Sequence, residues 1–135
     1  MVAGVAGIAA FFVTRKLAPP PASAAELTWL TSEFQLSPEQ AGRIQALHDA
    51  YTPVCAQHCA SILDTKDRIA DATSPAVKAT AQAELQRLVA TCHDSTQAHL
   101  QAVAAAMDPA QGARYLAMIG PRLSAHQHAE PFGLR

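Results

Sequence analysis

An all-α fold built on one long antiparallel helical hairpin is predicted by three features of this 135-residue sequence: its alanine-rich composition, the stepping of its apolar residues by threes and fours, and the Ser-Pro and Asp-Pro pairs that punctuate it. Half of the residues are apolar but only 5% are aromatic. That balance favours helices, because Ala has the best intrinsic helix propensity and little preference for strands. The length allows one domain and a short appendage. A net charge of −1 provides no basic field, which excludes nucleic acid as a partner.

Met1 to Val13 carry no charge. Extended to Leu17, with Arg15 and Lys16 snorkelling, the run approaches the ~20 residues of a membrane-spanning helix. Residues 1–18 are therefore expected to anchor the chain. The rival is a cleaved signal segment, since Ala22-Ser23-Ala24 fits a small-x-small cleavage site. Both readings export the domain. Pro19-Pro20-Pro21 then forms a stiff spacer over residues 19–25.

The helical domain is expected over residues 26–125. A short first helix spans roughly Ala24 to Phe34. Ser37-Pro38-Glu39-Gln40 opens the second with a capping box: Ser at the cap, Pro at the first position and Gln at the third. This helix runs to about Ala72 with an apolar stripe of Ile44, Leu47, Tyr51, Val54, Cys55, His58, Ile62 and Ile69. Thr73-Ser74-Pro75 ends it and is expected to cap the third helix in the same manner. The third buries Val77, Ala81, Leu85, Leu88, Cys92, His99, Val103 and Met107. Asp108-Pro109-Ala110-Gln111 opens the fourth, which carries Tyr115, Leu116 and Ile119 and which Pro121 bends or ends. Residues 126–135 are expected to be a flexible tail. Two helices of about 35 residues joined by a tight turn lie antiparallel and reach about 50 Å. So thin a hairpin needs the short helices, and a second protomer, to cover it; a homodimer is expected.

Leu36-Ser37-Pro38-Glu39-Gln40 and Met107-Asp108-Pro109-Ala110-Gln111 form a pair, one before the hairpin and one after it. The pair resembles the twice-occurring Leu-Thr-x-x-Gln motif of the Spy/CpxP/ZraP proteins, with Ser37 and Asp108 at the usual Thr and Met107 at the first Leu. The stretch Gln111-Gly112-Ala113-Arg114-Tyr115-Leu116 resembles the end of the CnrX-type metal sensors. The likeness covers about Leu27 to Leu123. It implies a hooked four-helix hairpin that dimerises on the periplasmic side of a bacterial inner membrane, or free in the periplasm if the leader is cleaved. Functions in that superfamily include metal sensing with a membrane signalling partner and chaperoning of unfolded clients with or without zinc, so the resemblance leaves the activity open.

The side chains that carry chemistry are thiols and imidazoles. Cys55 and Cys59 share one helix face. A turn between Thr73 and Ser74 brings Cys92 opposite Cys55, and His99 opposite His48. Three readings follow. A Cys55–Cys92 or Cys59–Cys92 disulfide would staple the hairpin in an oxidising compartment. Alternatively Cys55, Cys59 and Cys92, with His58 or His93, would bind Zn(II) or Cu(I). Lastly, all three Cys serve as small buried apolar residues. Pro53 is expected to kink the second helix, with Thr52 capping a new start whose free amides lower the Cys55 thiol pKa.

His48 and His99, with Asp49 or Asp94 as companion, form a second and weaker candidate metal site, and His126, His128 and Glu130 a third in the tail. Met107 and Met118 are read as core or dimer contacts, and Trp29 and Phe34 as fastening the first helix to the hairpin. No glycine-rich phosphate loop or nucleophile–base pair is present, since Cys92 and His93 are neighbours that point to different faces of a helix. The chain reads as a non-enzyme.

Overall fold

The computed structural model describes residues 22–128, with side chains over 25–123. The expected anchor (1–18) lies outside the described residues, as do the side chains of the tail metal cluster. Within them the chain is all-helical: α1 (Ala22–Phe34), α2 (Pro38–Asp71), α3 (Pro75–Ala105) and α4 (Pro109–His128). The two long helices pack along each other, α1 returns onto α2, and α4 onto α3. This is the predicted hooked hairpin. Two edges differ from expectation: α1 already starts inside the 19–25 spacer, and α4 runs through Pro121 to His128.

Pro53 and Pro121 sit inside continuous helices. Each removes one helical N–H and so frees the carbonyl four residues earlier. Pro53 and Asp49, like Pro121 and Ala117, are exposed. The freed carbonyls therefore face water, and the helices go on.

The cap at Ser37 forms as predicted. Its amide donates to Gln40 Oε1 at 2.9 Å, and the Gln40 amide donates to its hydroxyl at 3.2 Å. Ser74 does not repeat it, because its side chain makes no cap bond. The third helical position there is Val77, which has nothing to return to the cap. The turn itself lies where expected, at residues 72–74. α1 ends differently, with Gln35 at φ 51° and the Leu36 amide donating to the Thr31 carbonyl at 3.1 Å. That is a Schellman closure with Gln at the left-handed position glycine usually takes.

The core lies at the open end of the hairpin. Leu30, Phe34, Leu36, Ile44, Val103, Ala104, Ala106, Met107 and Tyr115 are buried there, with Leu27, Leu47, Leu100, Met118 and Ile119 packed around them. Each large apolar side chain so placed contributes about 1.5–3 kcal/mol. Phe34 meets Trp29 and Tyr115 edge-on, at centroid distances of 6.1 and 5.8 Å. Phe34 thus fastens the first helix as predicted, whereas Trp29 is 41% exposed and packs on Phe34 of its own helix. Gly112 makes the α3–α4 corner possible: a Cβ there would stand 2.5 Å from the Ala104 carbonyl oxygen.

Toward the tip the stripe thins. Ile62, Thr65 and Ala81 are buried, but Val54 and Val77, both expected inside, are 41% and 58% exposed. Beyond the core each helix has only the other to lean on, and these positions rotate past that narrow contact line.

The paired motifs meet. Gln40 Nε2 donates to Gln111 Oε1 at 2.9 Å. Gln111 Nε2 donates to the Phe34 carbonyl at the end of α1, and the Asp108 amide donates to Gln111 Oε1. Arg43 donates to the Ala106 carbonyl at the end of α3, while Arg114 donates to the Glu33 carbonyl and pairs with the Glu33 carboxylate over the Phe34 ring. Replacing Gln111 with Ala strands three partners and is expected to cost about 2–3 kcal/mol in chemical denaturation. A loss below about 0.5 kcal/mol would show that the clasp contributes nothing.

Candidate functional site

About a third of the way from the open end to the tip, the seam between α2 and α3 turns polar. His99 Nε2 and His48 Nδ1 lie 3.1 Å apart and share a hydrogen bond across the two helices. Tyr51 stacks flat on His99, with centroids 4.2 Å apart and an interplanar angle of 8°. Thr96 donates its one hydroxyl hydrogen to the Cys92 carbonyl at 2.8 Å. In the 2.8 Å contact between Tyr51 Oη and Thr96 Oγ1, Tyr51 is therefore the donor. These cross-helix bonds are the register the Thr73–Ser74 turn predicts.

His48 is 8% exposed and its Nε2 has no partner. Burial, and secondarily His48, pull the pKa of His99 down. Neither carboxylate suggested as a companion reaches the pair. Asp49 accepts from Gln45 at 2.7 Å, and Asp94 faces His93 at 3.5 Å.

The thiols occupy the next turns toward the tip. Cys92 is 1% exposed, and Cys55 and Cys59 are half-buried. All three are free and no two lie at disulfide distance, so the expected Cys55–Cys92 staple is not formed. The three nevertheless act on one another. Burial first, then the neighbouring thiols Cys59 and Cys92, raise the pKa of Cys55, which is also hydrogen-bonded to Cys59. Burial and Cys59 raise that of Cys92.

The lowered pKa expected at Cys55 is thus reversed, and the reason is local. Thr52 does not cap a new helix start, because its hydroxyl donates back to the His48 carbonyl at 2.8 Å inside an unbroken α2.

Of the imidazoles proposed as further ligands, His58 lies between the two α2 cysteines on the same face, and its Nδ1 is buried without a partner. His93 faces Asp94 instead. Among the described residues no three His, Cys, Asp or Glu side chains converge at metal-binding distance, and no helix is long and apolar enough to cross a membrane.

Thr96, Arg43 and Arg114 were not singled out by the sequence. Thr96 carried a usable sign, since it falls opposite Tyr51 in the same register that pairs the histidines. No family model, curated protein or solved structure matches the chain.

Three reactive thiols are expected when native protein purified without reductant is unfolded in a thiol reagent. In the folded state Cys92 should react last. A count of one would restore the disulfide.

Proposed function

We propose that this chain is a heavy-metal-binding or metal-sensing protein, held at the periplasmic face of the inner membrane by residues 1–18. On this reading it takes a thiophilic ion, Zn(II) or Cu(I), on the α2–α3 seam. Cys55, Cys59 and Cys92 supply thiolates and His58 the fourth donor. The observation that carries the reading is the gathering of three free thiols on one stretch of a two-helix seam. Their mutual effect makes ionisation costly for the thiols alone, and a cation among them turns that repulsion into attraction. The orphaned Nδ1 of His58 fits a donor awaiting a partner. Closure on an ion requires the Cys55 and Cys59 side chains to rotate toward Cys92. The paired motifs, joined through Gln40 and Gln111, support the likeness to the periplasmic metal-resistance proteins.

Because the raised thiols hold their protons at neutral pH, binding displaces them. Affinity is expected to rise with pH, by about tenfold per unit for each proton displaced. Zinc titration under reducing conditions, read by native mass spectrometry at two pH values, checks this. Absence of a one-to-one complex, or equal binding by Cys55→Ala and Cys92→Ala, would remove the metal.

A second reading is a Spy/CpxP-like chaperone that works without metal, and Val54, Leu63 and Val77, exposed along the hairpin, favour it. The same residues suit the second copy of a homodimer. Metal-free protein should then suppress aggregation of an unfolded client at near-equimolar ratio, and Leu63→Ser/Val77→Ser should lose that effect. Inactivity of the wild type in this assay eliminates the chaperone.

A further inference from the structure

The imidazole pair lies outside the thiol cluster and is not needed to bind metal there. The geometry points to a proton-operated latch: His48 and His99 hold α2 to α3 at neutral pH and release that grip when the pair takes up protons. This inference does not rest on the metal reading.

The neutral pair has two ring hydrogens for four nitrogens. One hydrogen occupies the 3.1 Å bridge between His48 Nδ1 and His99 Nε2. The other sits on one of the two outer nitrogens. An added proton fills both outer positions and places an N–H on His48 Nε2, which is buried and has no acceptor. Such an orphaned donor is among the more costly defects in a protein interior. A second proton leaves two N–H groups facing each other across the bridge, and the hydrogen bond is lost. The two steps belong to the pair and not to either ring.

Among the described residues no neighbouring charge offsets this. On α2, Asp49 is bonded to Gln45 and Tyr51 is stacked face-on against His99. On α3, Asp94 is turned to His93. From the flanking helices, Glu33 and Arg114 pair with each other, and Tyr115 lies in the apolar core with its pKa raised to about 12, mainly by burial. The groups acting on His99 are the protein interior and His48, both of which hold its pKa below the ordinary value.

The sign follows from that depression. A base held neutral in the folded chain contributes stability that is full above about pH 6.5, the unfolded value. That contribution falls away as pH drops below 6.5 and through the lowered folded value. Acid therefore loosens the α2–α3 seam at the inner edge of the core.

The experiment is thermal unfolding of chelator-treated protein between pH 4.5 and 8, beside imidazole titration by nitrogen-15 NMR. The wild type should lose about 4–8 °C of Tm between pH 7.5 and 5 through the pair, with the His99 ring titrating below the ordinary histidine range and sensing His48. His48→Leu/His99→Leu should remove at least half of the acid-dependent loss, and His93→Gln should leave it intact. If the Leu variant fails to fold, the NMR titration of the wild type decides alone. Ordinary titration of His99, independent of His48, would overturn the latch, as would a full acid loss in the His48/His99 variant.

Discussion

The structure depends on closing the open end of a long hairpin. There α1 ends, α2 begins, α3 ends and α4 begins, so four sets of orphaned backbone groups crowd one apolar core. Each left unpaired in that setting costs about 1–3 kcal/mol. Two glutamines and two arginines resolve most of this. Gln40 caps its own helix and reaches Gln111, which serves its own cap at Asp108 and the carbonyl of Phe34. Arg43 and Arg114 cover the carbonyls of Ala106 and Glu33. Side chains from the start of α4 thereby finish α1, Arg43 from the start of α2 finishes α3, and the two motifs, 71 residues apart, form one network. Gly112 completes it by letting α4 turn close against the Ala104 carbonyl.

From this closure the rest of the hairpin follows by length. At 1.5 Å per residue, the 13 residues of α1 and 20 of α4 reach about 20 and 30 Å, against about 50 Å for α2. The covering helices therefore run out before the tip. Past that point α2 and α3 share a contact one side chain wide, and its occupants must be small or find partners within the seam. Ala81 and Ile62 are small or apolar, and Thr65 bonds the Ser61 carbonyl. Nearer the core, His48, Tyr51, Thr96 and His99 already form such a seam and satisfy most of one another. The groups that carry chemistry sit where the fold has left the core but not yet become surface.

Helix positions, the antiparallel register and the Ser37 cap could be read from the sequence because each depends on local rules. Capping needs four consecutive residues, and register needs only the turn at 72–74. The His48–His99 contact followed from that register alone. What could not be read depends on rotation about the helix axes, which periodicity fixes only coarsely. Val54 and Val77 step with the stripe yet fall outside it. Cys55 and Cys92 share a level, but no two thiols approach bonding distance. Thr52 failed as a cap because its hydroxyl had a nearer acceptor one turn back. The glutamine clasp also went unforeseen, since a motif opening a helix gives no sign of what its side chain meets 71 residues away.

Tyr51 ties the two chemical layers of the seam together. Its ring covers His99 and its hydroxyl donates to Thr96, whose own hydrogen goes to the Cys92 carbonyl. A displacement of His99 therefore unstacks Tyr51 and disturbs the turn that carries the most buried thiol. The chain of contacts works in both directions, as coupling between sites must. Anything that draws Cys55 and Cys59 toward Cys92 tightens α2 against α3 and favours the bonded, less protonated imidazole pair. Acid, by parting that pair, opposes it. The magnitude is bounded by one hydrogen bond and one stacked ring, so the two layers bias each other without either locking the hairpin.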